Sequence, residues 1–171
     1  FNFASAGSGT VHHLAGELYK IQTGTFITHI PYRGAGPAMQ DLLAGQVDLA
    51  FDGLATSAAQ INAGKLVAIA VASKNRVPVL PNVPTFAEAG LPDYVVSTWY
   101  SLAAPRGTPQ PIIDKMIAEV KKALNTPKLK AIWAANGSDI PNIYGDDFAK
   151  QLNADVKRWA AVVAKSGAKL D

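Results

Sequence analysis

The sequence contains no cysteine. That excludes disulfides, thiolate metal sites and a cysteine nucleophile, and it suits an oxidising compartment. No apolar run approaches the roughly 18 residues that a membrane-spanning helix needs. The opening FNFASAGSGT lacks the basic region and following apolar stretch of a secretory leader. Phe1, standing where an initiator Met would, is read as a boundary, natural or introduced. Charge is sparse at 17% of residues. Neither a basic block nor a basic stripe interleaved with aromatics is present, so nucleic acid is not an expected partner.

What is present is apolar: 49% of the 171 residues are hydrophobic, which excludes disorder, collagen and coiled coil as the main state. The expectation is a soluble globular protein of one ordinary domain or two small lobes. The net charge of +3 is unevenly placed, because residues 1–95 are nearly balanced and the basic excess falls in residues 96–171. There Lys121, Lys122, Lys128, Lys130, Lys157 and Arg158 lie among acidic residues at helical spacing, the pattern of a solvated face.

From Phe1 to Ala72 short apolar runs, glycine turns and amphipathic stretches alternate, which predicts an α/β fold around a parallel sheet. Predicted strands are 1–4, 26–32, 47–52 and 66–72. The last runs through Val67 to Val71 without polar alternation, so both of its faces are expected to be covered. Val11, Leu14, Leu18 and Ile21 predict a helix ended by Gly24. A second helix is predicted with Pro37 at its first position and Met39, Leu42 and Leu43 inward, a third over 55–63. Four prolines mark 73–92 as a long loop with one helical turn at 85–89, and as the lobe boundary. Beyond it an extended stretch, 95–104, precedes three helices. The first is capped by Thr108 with Pro109 next and carries the stripe Ile112, Ile113, Met116, Ile117, Val120 and Leu124. A short one covers 127–135. The last, 146–165, is expected to bury Phe148, Leu152, Val156, Trp159 and Val163. One strand is too little sheet for three helices, so this second lobe is read as incomplete.

The strongest candidate for chemistry is Ser5-Ala6-Gly7-Ser8-Gly9-Thr10, between a predicted strand and a helix. Small residues let backbone approach a ligand, and helix-start N–H groups with the Ser5, Ser8 and Thr10 hydroxyls suit an anion. Equally, the segment is a tight turn with an N-cap at Ser8 or Thr10. It is neither a dinucleotide fingerprint nor a P-loop. One helix start contributes about 0.3 to 2 kcal/mol toward an anion, whereas micromolar binding needs about 8 kcal/mol. Further donors must come from the ends of neighbouring strands, where Tyr32-Arg33-Gly34-Ala35 and Asp52-Gly53 with Thr56 and Ser57 stand. Asp52 is read either as orienting a ligand or as bonding the next loop. His13 and Glu17 are one helical turn apart but lack a third ligand, so no metal is expected. Ser5 or Ser8 with His12 or His13 offers an alternative, a small α/β hydrolase or transferase, although no nucleophile elbow accompanies them. Trp133 and Trp159 are read as core; Trp99 and Tyr100 stand where a hinge would be.

The ordered blocks Ser-Ala-Gly-Ser-Gly-Thr and His-Leu-Ala-Gly-Glu-Leu (5–18), Ile-Pro-Tyr-Arg-Gly-Ala-Gly-Pro-Ala (30–38), Leu-Leu-Ala-Gly-Gln-Val-Asp (42–48), Phe51-Asp52, Ala-Gly-Lys-Leu (63–66), Leu-Pro-Asn-Val-Pro-Thr-Phe-Ala-Glu-Ala-Gly-Leu-Pro (80–92) and Ala-Pro-Arg-Gly-Thr-Pro (104–109) resemble the substrate-binding receptors of tripartite tricarboxylate transporters, also called Bug-type or TctC-type extracytoplasmic solute receptors. The resemblance implies a type II periplasmic binding protein-like fold, two α/β lobes closing on a small organic carboxylate that is passed to the membrane components of the transporter. It implies no catalytic residue, metal or cofactor, and a periplasmic location. Carried onto this chain, the ligand-binding residues would be Ser5, Gly7, Ser8, Gly9, Thr10, Tyr32, Ala35, Asp52 and Thr56. Residues 1–95 would form lobe II complete, and 96–171 the C-terminal portion of lobe I, its N-terminal part and the leader lying outside the chain. The half-site is expected to bind weakly or not at all.

Overall fold

The computed structural model describes residues 1–168. Three parallel strands form the sheet: β1 (Asn2–Ser5), β2 (Thr28–Pro31) and β3 (Leu49–Ala50), in the order β2-β1-β3. The connections are helical, with α1 (Val11–Thr23) joining β1 to β2 and α2 (Ala35–Leu43) joining β2 to β3; α3 (Leu54–Asn62) follows. Strand register explains how both faces of the sheet are covered. Phe3 is paired with His29 and Ala4 with both Ile30 and Ala50. Since successive side chains alternate faces, Ala4, Ile30 and Ala50 share the face that packs with Ala38, Leu42 and Val47. Phe3 and His29 share the other, where their rings stack 4.9 Å apart and Phe51 meets Phe3 edge-on at 5.5 Å.

Gly16 is what lets α1 lie on that second face. A Cβ at Gly16 would stand 2.3 Å from the fully buried Phe3 ring. Gly16→Ala is therefore expected to cost up to about 2 kcal/mol net, an overpacking penalty of about 1 to 3 kcal/mol less the roughly 1 kcal/mol that Ala gains over Gly in a helix. Urea denaturation checks this; a stabilised Gly16→Ala would mean that α1 does not sit this close to the sheet.

Helix boundaries follow local chemistry. Thr10 caps α1, its hydroxyl accepting the His13 N–H, and Gly24 closes it in the left-handed conformation. The second helix begins at Ala35, two residues before the predicted start, with Gly34 as cap. Pro37 thus falls in the first turn, where a missing N–H leaves no intrahelical bond unmade. Leu43, predicted inward, is 39% exposed. The proline-rich loop holds one turn over 85–89. Thr85 and Glu88 cap each other there, and Arg76 binds the Glu88 carboxylate at 2.9 Å.

Two expected extended segments do not become strands. Residues 66–72 make only an isolated bridge, Val71 with Thr85, and Val67 and Ile69 stay exposed. The apolar run has β propensity but no ladder partner among the described residues, and a strand exists only through its neighbour. The stretch from Val95 likewise forms no ladder, reaching a neighbouring segment through one backbone bond, Val96 N–H to Ala72 O, before Tyr100 and Leu102 project into solvent.

The last three helices are α4 (Gln110–Leu124), α5 (Pro127–Ala135) and α6 (Gly145–Ser166). Pro109, rather than Thr108, caps α4; the Thr108 hydroxyl turns back to Pro105 O. No residue of α4 or α5 is buried, and Ile112 and Met116 of the predicted stripe are about half exposed. Helix α6 instead lies on α1. It buries Val162 in one cluster with Leu18 and Tyr94, and Trp159 packs against that cluster. The inward face is thus turned off the predicted stripe, since Val156 and Val163 remain exposed. No helix among the described residues is long and apolar enough to cross a membrane.

Candidate functional site

In a sheet of order β2-β1-β3 the chain leaves β1 toward one side and returns on the other, so a crevice opens at the carboxyl ends of β1 and β3. The predicted Ser5–Thr10 loop stands at one wall and Asp52 with the start of α3 at the other.

Inside the loop most polar groups are already engaged. Ser5 is 1% exposed, its Oγ lying 2.6 Å from His29 Nε2 and accepting the Gly7 N–H at 3.1 Å. The Thr10 hydroxyl donates to Gly7 O at 2.7 Å, and the Gly9 N–H donates to His13 Nδ1 at 3.0 Å. Among the groups that remain are the amides of Ser8, Val11 and His12 and the Ser8 hydroxyl, which have no hydrogen-bond partner among the described residues. These are the donors an anion can use. Gly7 is required by this shape: its φ is +137°, and a Cβ there would come within 3.3 Å of Tyr32 O.

The loop after β2 is laced to the first. Tyr32 N–H donates to Ser5 O and Gly34 N–H to Ala6 O, each at 3.0 Å. Ala35 opens α2, whose start has no side-chain cap. Tyr32 contributes backbone here, not its phenol. The hydroxyl donates to Asp41 Oδ2 at 2.8 Å, and that carboxylate holds the phenol above its ordinary pKa.

At the opposite wall the Thr56 hydroxyl has two acceptors for its one proton, Asp52 Oδ2 at 2.5 Å and Gly53 O at 2.8 Å, while His12 Nδ1 stands 3.9 Å from Asp52 Oδ1. Asp52 therefore braces the first turn of α3 and faces the first turn of α1 across the crevice. The start of α3, like that of α2, lacks a side-chain cap. Three helix starts meet at one sheet edge, and their exposed amides rather than a row of cations supply the positive potential.

Neither proposed nucleophile has the partner it was given. Ser5 meets His29, not His12 or His13, and is enclosed; Ser8 has no imidazole bonded to it. His13 and Glu17 approach to 3.8 Å, but Glu17 is bonded to Lys20 at 2.8 Å, and no cluster of three metal-ligating side chains occurs among the described residues. The residue that sequence reasoning missed is His29. Its ring stacks on His13 at 3.8 Å with 7° between planes, a contact created by strand register across 26 residues and invisible in local spacing.

With this geometry in place, comparison with known proteins is specific. The family described as Tripartite tricarboxylate transporter family receptor matches residues 1–168. A UPF0065 protein of Agrobacterium vitis is 40% identical over 171 residues, covering 96% of this chain and 49% of the relative. Protein BugT of Bordetella pertussis is 38% identical over 169 residues, covering 98% and 52%. Among solved structures, Rpa4515 of R. palustris with adipate superposes with a TM-score of 0.85 at 33% identity, over 98% of this chain and 56% of the other. MatC from Rhodopseudomonas palustris with bound malate gives 0.83 at 36% identity, over 95% and 56%. Periplasmic binding protein BugD gives 0.85 at 34%, over 99% and 57%. The fold is thus that of periplasmic binding proteins, and the chain spans about half the length of each of these relatives.

Proposed function

Because the chain belongs to the tripartite tricarboxylate transporter receptor family, we propose that it is part of an extracytoplasmic solute receptor that captures a small organic carboxylate and presents it to the membrane components of a transporter. The observation that carries this reading is the convergence of the Ser8, Val11 and His12 amides with the uncapped starts of α2 and α3 at the switch crevice. Relatives solved with adipate and with malate indicate the ligand class. Residues 1–95 carry the site in this reading as lobe II, and 96–171 belong to lobe I except where α6 returns to α1. Ser8 and Thr10, the backbone of Gly7, Gly9, Tyr32 and Ala35, and Thr56 line or shape the crevice. Ser5 and Asp52 brace it from within. Recognition proceeds through amides, hydroxyls and bridging waters.

Three helix starts at about 0.3 to 2 kcal/mol each fall near the roughly 4 kcal/mol of millimolar binding. We therefore expect the 171-residue chain to bind adipate or malate with a Kd of about 1 mM or weaker. Amide chemical-shift titration with each acid tests it: shifts should concentrate at residues 7–12, 34–36 and 53–56. Shifts confined to other regions, or none at saturating acid, would overturn the assignment. Micromolar binding would refute the half-site arithmetic.

A further inference from the structure

Beneath the loop lies a column of three rings between α1 and the sheet. His13 stacks on His29 at 3.8 Å, and His29 stacks on Phe3 at 4.9 Å. Each imidazole holds a different part of the loop. His13 Nδ1 accepts the Gly9 N–H at 3.0 Å, and His29 Nε2 meets Ser5 Oγ at 2.6 Å, the same oxygen that accepts the Gly7 N–H. We propose that the stacked His13–His29 pair is a positioning device for the Ser5–Thr10 loop, fixing Gly7 and Gly9 so that the neighbouring Ser8, Val11 and His12 amides stay open to an anion, and that it does so only while His13 is neutral. The shape of the loop rests on this geometry alone; its bearing on carboxylate capture rests on the reading above.

The condition of neutrality follows from donor and acceptor count. A nitrogen that accepts the Gly9 N–H carries no proton, so His13 holds its hydrogen on Nε2, toward Glu17 Oε1 at 3.8 Å. Protonating Nδ1 would set two N–H groups against each other and break the contact. The surroundings favour neutrality. His13 is buried and His29 half-buried, and a second positive ring at 3.8 Å repels the first. On α1 the Glu17 carboxylate, 3.8 Å from His13 Nε2, is bonded to Lys20 instead. On the sheet side stand Ser5, Phe3 and His29, none of them anionic. His12 and Asp52 face each other across the crevice, 3.9 Å apart. Burial and the neighbouring ring accordingly hold His29 down to about 4, and burial keeps His13 below its ordinary value.

A consequence separates this device from general electrostatics. Adding positive charge near the loop would by field alone strengthen anion binding. Here acidification should weaken it, because the proton that adds the charge also releases Gly9.

The test uses the 171-residue chain and nuclear magnetic resonance. Ring nitrogen shifts should show His13 unprotonated at Nδ1 at neutral pH, and the Gly9 amide should stay protected from exchange until acidification passes below the ordinary imidazole range, since burial holds His13 down. His13→Asn, whose side-chain oxygen replaces the Nδ1 acceptor, should keep that protection. His13→Leu should lose about tenfold, and adipate-induced shifts at Ser8 and Val11 should shrink in His13→Leu alone. Unchanged Gly9 exchange in a folded His13→Leu would overturn the proposal. Should that variant not fold, a proton found on Nδ1 of the native chain overturns it equally. If adipate and malate shift no amide of the native chain, the carboxylate reading fails while the tautomer and exchange results still decide the role of the pair.

Discussion

Phe3→Ala is expected to lower the unfolding free energy by about 3 to 5 kcal/mol, the upper range for deleting an aromatic ring from a core. The ring is 0% exposed, and its neighbours cannot close on the space it leaves. Gly16 has no side chain with which to fill it, His29 is held at Ser5, and Phe51 meets the ring by its edge at 5.5 Å from a strand end fixed in the sheet. The hole would therefore persist, and the cost of a persistent cavity adds to the lost transfer free energy. The substitution should also reach the site, because Phe3 backs His29 and His29 meets Ser5. We expect Gly7 and Gly9 amide protection to fall in Phe3→Ala even under conditions where the chain remains folded. Chemical denaturation followed by tryptophan fluorescence and by circular dichroism measures the first effect and amide exchange the second. A loss below about 1 kcal/mol, smaller than any of the large aromatic deletions, would mean that the α1 face of the sheet is not the packed core described above.

The order of elements was readable in the sequence wherever a periodic stripe met a chemical stop. Val11, Leu14, Leu18 and Ile21 ending at Gly24 define α1 almost to the residue, since spacing and the left-handed cap are both local. The loops of the site were readable for the same reason. Clusters of glycine and hydroxyl residues between a strand and a helix have few uses other than bending tightly and exposing amides. Where the reading failed, the deciding interaction was distant. Residues 66–72 have the composition of a buried strand, but composition cannot supply a neighbour, and Val67 and Ile69 lie open. Tyr32 is a candidate ligand contact from its place in a motif; that its phenol is engaged by Asp41 nine residues on, leaving backbone for that role, was not legible there. His29 looked like one polar residue in a predicted strand. Only the register that sets it beside Phe3, together with Gly16 admitting α1, brings it under His13.

Tyr94→Ala should cost a similar 3 to 5 kcal/mol, but with a different pattern of loss. Tyr94 is 1% exposed and joins three parts of the chain. Its ring packs 4.2 Å from Phe86 of the proline-rich loop, its hydroxyl donates to Ala15 O of α1 at 2.9 Å, and Leu18 and Val162 share its cluster. Burial pushes the phenol far above its ordinary pKa, so it is a neutral donor at neutral pH. The hydrogen bond contributes the smaller share. Ala15 O also faces the i+4 amide of its own helix, so Tyr94→Phe should cost only about 1 kcal/mol, and the gap between the two variants measures packing. Tyr94→Ala should in addition free α6. Val162 and Trp159 would then keep only part of their packing against α1, and the polar ties of that helix to the same region, Arg158 to Val95 O and Trp99 Nε1 to Asp155 Oδ2 at 2.9 Å, are exposed bonds of a kind that hold weakly. Amide exchange in α6 should accelerate more than exchange in β1; equal acceleration would show a single cooperative unit instead. The distinction bears on motion in the two-lobed reading. Val96 N–H makes the last backbone bond to the first unit, at Ala72 O, and the chain then runs to Thr108 without a ladder partner among the described residues. Bending between lobes would begin at that point, immediately beyond the anchor that Tyr94 provides, so a chain without that anchor would lose its fixed pivot before it lost its sheet.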